Sequence, residues 1–456
     1  MNELRDRFYA ERDRRTRQYG GRDPALERTV RIVVGTDAAQ SRAGQVAALA
    51  LTNMVARVHR RVIIEVPRAP LLARALVEAN ELDEAIRATA LAINPCLEIQ
   101  SASRERQDAA ASIGIGLSVP DDVDFTLAWH GGRGELLKPG GSSTVPGGQL
   151  DGEAVISAAA ASVLGAWCLF RLVHDQQVDP AVWSPFECVA GLTAPTVDTP
   201  RTMDVGHVQV IGAGAVASAL VYWLRELGVV GPWEVVDGDA AELHNTNRCL
   251  CLLAADAGWP NGEPTGQPAM KATALAPMIN AEPHATWYES WDGVDRRPDL
   301  ILPLANARGV RPLISARGEP LLLHATTSSR WTAELHRHIL GIDDCPACRL
   351  PDAAAPTFEC STGPSVPDQL DSPDAALPFL SAAAGLLLVV GLLRLTSGSI
   401  GEQTENHWLI DFGGSTPEMR SLRHPPRDGC THQLSQVVRQ GVQQGAPRRW
   451  DAVRID

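Results

Sequence analysis

The sequence predicts an α/β protein of two doubly wound domains, one in each half of its 456 residues. Two observations carry that expectation. The order strand, glycine turn, helix, strand occurs near the start of the chain and again near its middle. Each half then carries a later helical stretch that is apolar all round, the pattern of a buried helix. Strand–helix–strand units of these lengths close as right-handed parallel crossovers.

The elements follow in order. Thr29-Val-Arg-Ile-Val-Val-Gly35 is a short apolar strand ending in glycine, followed by a helical pattern over residues 40–58 and a strand, Arg61-Val-Ile-Ile-Glu-Val66. In the second copy, His207-Val-Gln-Val-Ile211 runs into a glycine turn, a helix over 216–227 and the strand Trp233-Glu-Val-Val-Asp237. The all-apolar helices fall at 158–173 and 380–395. The latter is too short to span a bilayer and is interrupted by Arg394. Residues 176–203, rich in proline, read as the connection, which divides the chain into 1–200 and 201–456. Residues 131–152, 259–268 and 351–378 read as long loops.

Composition narrows the function classes. Hydrophobic residues make up 45% and charged residues 21%, a globular balance. Lys+Arg 41 against Asp+Glu 54 leaves a net charge of −13, which argues against nucleic acid as a partner. The polar first 31 residues do not read as a signal peptide, and nine cysteines in so long a chain are no disulfide framework. A cytoplasmic protein with reduced thiols and no membrane partner is expected.

The second half carries the chemistry. In Val210-Ile-Gly212-Ala-Gly214-Ala-Val-Ala217, Gly212 permits a tight turn and Gly214 lets backbone approach a phosphate at a helix N-terminus. Asp237, at the end of the next strand, is placed for ribose hydroxyls. A dinucleotide site needs no more than that. Here Asn245, Arg248 and Lys271 follow, and a guanidinium and an ammonium offset charge on a triphosphate.

With these residues the chain resembles the ubiquitin-activating enzyme superfamily, which includes the ThiF and MoeB sulfur-carrier activators. The resemblance covers roughly 205–309 and 341–430. It implies ThiF-like, Rossmann-related domains, ATP and Mg²⁺ as cofactors, and adenylation of the C-terminal glycine of a ubiquitin-like protein. Asp237 takes the ribose position, Asp239 the second place of D-x-D, Asn245 and Arg248 those of N-x-x-R, and Lys271 the lysine. Asn306 stands where the family has a second acidic Mg²⁺ ligand, and an Asn carbonyl carries no charge.

The first half reads as a degenerate copy. Its turn is Gly35-Thr-Asp37, with a carboxylate at the place of Gly214, and no N-x-x-R follows its second strand. In the family such an inactive domain pairs with the active one as a pseudo-dimer. Arg14-Arg-Thr-Arg17-Gln18 resembles the family's R-x-x-R-Q segment, which implies that Arg17 reaches across to the ATP of the other half.

The cysteines add two expectations. Cys345-Pro-Ala-Cys348 reads as a zinc half-site or a redox pair, and Cys430-Thr-His432 supplies two more soft ligands, so a Cys₃His zinc site competes with two unrelated pairs. Cys360 lies in the loop 351–378, before a buried helix, where a thiol can move to meet an acyl-adenylate. The resemblance supports Cys360 and Gly363 as an echo of the family's acceptor segment. Cys249, beside Arg248, is the competing thiol.

The expected function is two-step activation: adenylation, then a thioester on Cys360 for a conjugating enzyme. The layout resembles activating enzymes of bacterial ubiquitination-like operons, some tied to antiviral defence. The rivals are a sulfur-carrier or peptide adenylyltransferase without thioester transfer, and a non-catalytic nucleotide-binding scaffold. The sequence leaves a homodimer open.

Overall fold

The computed structural model describes residues 2–14, 16, 23–100, 109–139, 141, 150–200, 202–294, 296–305, 310–349, 377–400, 404–430 and 449–450. In the first half the strands are β1 (Val30–Val34), β2 (Arg61–Glu65), β3 (Glu98–Gln100), β4 (Ala111–Ile115), β5 (Phe125–His130), β6 (Arg133–Leu137), β7 (Ala181–Ser184) and β8 (Val189–Gly191). They form one eight-stranded sheet in the order β3-β2-β1-β4-β5-β6-β7-β8. Pairing is parallel from β3 through to β5 and antiparallel from β5 onward. The apolar run of β1 is buried at every position, as a central parallel strand covered on both faces requires.

The second half repeats this layout. Its strands are β10 (Val208–Ile211), β12 (Trp233–Val236), β13 (Glu282–His284), β14 (Leu300–Pro303), β15 (Leu321–Thr327), β16 (Thr332–Ile339), β17 (His407–Asp411) and β18 (Glu418–Leu422). Their order is β13-β12-β10-β14-β15-β16-β17-β18, with the change from parallel to antiparallel at the same place, after β15. A separate parallel pair joins β9 (Thr202–Asp204) to β11 (Gly228–Val230). The fold is therefore α/β with two mixed sheets of one topology.

Helices α1 (Asn2–Arg12), α2 (Arg42–Val58), α3 (Leu82–Ile93) and α4 (Val155–Val173) belong to the first half of the chain. Helices α5 (Ala215–Glu226), α6 (Lys271–Leu275) and α7 (Pro378–Thr396) belong to the second. Ser41 starts α2, its hydroxyl accepting the Gly44 amide at 3.1 Å. α4 and α7 take equivalent places, each between the sixth and seventh strand of its sheet, and they touch each other. One hydrophobic core runs through both halves. Across it Trp167 Nε1 donates to the Phe412 carbonyl at 2.9 Å. α1 bridges the halves: Arg12 donates to the Ala56 and Val58 carbonyls of the first, while Phe8 and Tyr9 pack with Leu243, Ala254 and Ala257 of the second.

Three sequence expectations change. Residues 131–152 are not one loop, because β6 lies within them. Gly134 makes that strand fit: a Cβ there would come within 2.2 Å of the Ala161 amide on α4. The connection 176–203 contains β7, β8 and the start of β9, and β7 and β8 complete the first sheet. The late helix of the second half is longer than 380–395. α4 and α7 each have 19 residues and are long and apolar enough to cross a membrane, yet in each about nine-tenths of the most apolar stretch is covered by the protein itself.

Candidate functional site

The glycine turn after β10 forms the floor of the site. Gly212 has φ +101°, and a Cβ on it would come within 2.6 Å of the Ala305 amide at the end of β14, so only glycine fits. Gly214 caps α5, and a Cβ there would meet nothing within 4 Å. The turn is thus closed against β14 on one side and open at the helix end.

Three charged groups gather at its mouth. Asp237 Oδ2 accepts the Ala213 amide at 2.6 Å and Oδ1 accepts the Asp239 amide at 2.8 Å. These bonds tie the end of β12 to the glycine turn. Burial pushes the Asp237 carboxyl up, against the opposing pull of Lys271 and the two amides. Lys271 starts α6, and its Nζ meets Asp239 Oδ2 at 2.9 Å. Burial alone would lower this ammonium, but Asp237 and Asp239 outweigh it and hold it above its ordinary value. The indole of half-exposed Trp287 lies on Gly238, between the two aspartates; a Cβ on Gly238 would come within 2.6 Å of it.

The Asn245–Arg248 segment folds as a 3-10 turn, Leu243–Asn245, and its continuation. Asn245 is buried and its Oδ1 accepts the Glu242 amide at 2.9 Å, half of a capping box. In this structure Asn245 builds the turn that presents Arg248. Arg248 is half-buried and donates to the His244 carbonyl at 3.3 Å. The chain after α1 is fastened here: Arg14 donates to His244 Nδ1 at 3.2 Å, and Asn247 Nδ2 donates to Thr16 Oγ1 at 3.0 Å. Arg17 itself lies outside the described residues, as do Asn306, Cys360 and His432.

The thiols divide into two kinds. Cys249 and Cys251 are both buried, and burial pushes the Cys251 thiol up to about 12, so Cys251 is no ready nucleophile. Cys345, Cys348 and Cys430 come together, with Cys430 Sγ 3.6 Å from Cys345 Sγ and 3.3 Å from Cys348 Sγ. Sulfurs on a tetrahedral zinc stand about 3.8 Å apart. Three unbridged thiols at nearly that spacing fit a zinc ion, and the redox-pair reading of Cys345 and Cys348 does not account for Cys430.

Two other groups could hold a metal by proximity. Glu334, His336 and His407 share one face of β16 and β17, and Glu234, Glu282 and His284 share the β12–β13 edge. In the first, Arg349 donates to His336 Nδ1 at 3.0 Å, which leaves the proton on Nε2, facing Glu334 and Thr326. In the second, Glu234 is held by His207, Gln209 and Arg296. The first is a hydrogen-bonded network, whereas in the second the buried His284 Nε2 makes no hydrogen bond among the described residues and stands 3.5 Å from Glu234 Oε1.

The structure thus brings together Asp237, Asp239 and Lys271 at the Gly212–Gly214 turn, puts Asn245 and Arg248 on the turn that follows, and separately gathers the three cysteines. Sequence reading missed Trp287 and the helix residues Asn53 and Arg57. The last two had a signal: a polar pair four apart in the otherwise mostly apolar C-terminal part of α2.

With this geometry in hand, residues 29–181 match the family described as the BilD N-terminal domain. That match spans β1 to β6 and α4. No curated protein matches the chain. Among 54 matching solved chains is the crystal structure of selenomethionine PaaA, with 12% identity and a TM-score of 0.33. The match covers 48% of this chain and 64% of PaaA.

Proposed function

We propose that the chain activates a ubiquitin-like protein in the cytoplasm, with residues 1–200 as the inactive half and 201–456 as the active one. The observation that carries the reading is the cradle itself. An open Gly214 stands beside Asp237, Asp239 and a buried Lys271, with Arg248 presented by the neighbouring turn. The BilD-type match of residues 29–181 supports the pairing with a degenerate copy.

In this reading Asp237 binds the ribose, while Lys271, Arg248 and Arg17 offset charge on the phosphates. Thr16, bonded to Asn247, ties the chain next to Arg17 to this turn. Asp239 would hold Mg²⁺, with Asn306 as its neutral companion, and the ion would neutralise phosphate charge. The modifier's terminal carboxylate oxygen attacks the α-phosphorus, and pyrophosphate leaves. The thiolate of Cys360 then attacks the acyl carbon of the adenylate, AMP departs, and a thioester remains for a conjugating enzyme. Zinc on Cys345, Cys348, Cys430 and His432 would staple the C-terminal segment to the end of β16.

ATP–pyrophosphate exchange in the presence of the ubiquitin-like partner tests adenylation. A thiol-sensitive adduct on a gel tests the second step. Exchange without an adduct would leave an adenylyltransferase of the sulfur-carrier or peptide kind, and no exchange would leave a nucleotide-binding scaffold.

A further inference from the structure

Arg57, on the last turn of α2, is fully buried yet pairs with no carboxylate among the described residues. Its guanidinium crosses to the other half of the chain. It donates to the carbonyls of Thr246, Leu250 (2.6 Å) and Leu252 (2.9 Å), and its Nε donates to Asn53 Oδ1 at 2.7 Å. Asn53 Nδ2 also donates to the Leu250 carbonyl, at 3.0 Å. Burial pulls the guanidinium down to about 10, still cationic at neutral pH. An uncompensated buried cation is costly unless its N–H groups are used, and here four donor bonds use them.

The three carbonyls bracket Arg248, two residues before it and two and four after it. We propose that Asn53 and Arg57 of the first half are positioning residues that hold the 246–252 loop and so aim Arg248 at the nucleotide. This rests on the nucleotide-site reading above. It assigns the inactive half a task that does not involve its own degenerate turn. A planar fork can bridge several carbonyls at once, which a lysine ammonium on a flexible stem does not reproduce.

The test is Mg-ATP titration of the whole chain by calorimetry, in two backgrounds. With Arg248 present, Arg57→Met, Arg57→Lys and the milder Asn53→Ala should each weaken binding about tenfold, the scale of a misaimed contact. In the Arg248→Ala background the same changes should cost less than about twofold, because the group they aim is gone. Equal losses in both backgrounds, or full affinity in Arg57→Lys, would overturn the positioning role. Melting curves identify any variant that fails to fold, and Asn53→Ala keeps the comparison open if Arg57→Met does. An unmodified chain that does not bind Mg-ATP would overturn the function reading itself, and the loop staple with it.

Discussion

Asp37 and Gly214 each stand two residues past the glycine that ends the central strand of their half, Gly35 and Gly212, and they do opposite things. Asp37 lies in a one-turn helix, Thr36–Ala39, whereas Gly214 caps α5. Asp37 Oδ2 accepts the Leu117 amide at 2.7 Å and Oδ1 the Ser118 amide at 3.2 Å, so a carboxylate of the chain sits in the first cleft. At Gly214 the equivalent space is open. The first copy thus carries its own anion where the second is open to receive one.

Gly214→Asp should convert the second cleft into the first. ATP binding should fall on the order of a hundredfold through repulsion of the phosphates. Folding should not suffer, since Asp is a favoured helix N-cap and the site is clear of contacts. Binding and melting measured on one preparation decide it. Retained affinity would mean that phosphate does not lie at this turn.

Lys271→Ala and Arg248→Ala should each lower ATP–pyrophosphate exchange about 10²–10³-fold, the usual effect of losing one oriented charged donor. Lys271→Ala also leaves the half-buried Asp239 without its ammonium partner, so its melting temperature should fall while that of Arg248→Ala holds. Arg17→Ala should behave like Arg248→Ala in both assays. Wild-type exchange in any of the three removes that residue from the mechanism.

Zinc analysis should give about one ion per chain. Cys348→Ser should lose it and lower the melting temperature, since Cys345 and Cys348 at the end of β16 are tied to Cys430 beyond β18. A metal-free chain that is indifferent to Cys348→Ser would return these thiols to unrelated roles.

Acid should weaken the second sheet. His324, His336, His338 and His407 stack along β15–β17 with ring centroids 4.3–4.9 Å apart. Burial drives His336 down to about 3, helped by His407 and Arg349 and opposed by Glu334. The unfolded chain binds a proton near pH 6.5 that the folded chain refuses until about pH 3. Stability tied to His336 is therefore full above pH 6.5 and declines as pH falls toward 3. Glu334, held low despite its burial by His336 and His407, adds to the same trend at lower pH. The melting temperature should drop between pH 6.5 and 4, and His336→Asn should flatten that slope. An unchanged slope in the variant would show that His336 does not set it.

Cys360→Ala should keep pyrophosphate exchange and lose the thiol-sensitive adduct, because the thiol enters only after adenylation. Cys249→Ala should keep both, since that thiol is buried beside the Arg57 staple. An adduct that survives Cys360→Ala and disappears in Cys249→Ala would place the acceptor at the nucleotide site.

Much of the fold was legible because it is written in short-range terms. Val30–Val34 and Val208–Ile211 are strands by composition, Gly35 and Gly212 end them, and the apolar helices are buried because no face of them is polar. β6 to β8 were less legible. Their strands are short and lie among glycines and prolines, and their stability comes from pairing with β5 and packing under α4, not from their own residues.

The sequence by itself determined the doubling of the fold, the glycine turns and the kinds of side chain available for phosphate and metal, since these depend on residue type and nearby spacing. Tertiary structure alone decided which of those side chains meet. It joined Cys430 to Cys348 across 82 residues and put the Asp37 carboxylate on amides 80 residues away. It also gave Asn245 to its own turn, and set Arg57 of one half on the carbonyls around Arg248 of the other. The physical reason is that a buried polar group must find its partner wherever packing leaves one, and that place is not encoded in its neighbours along the chain.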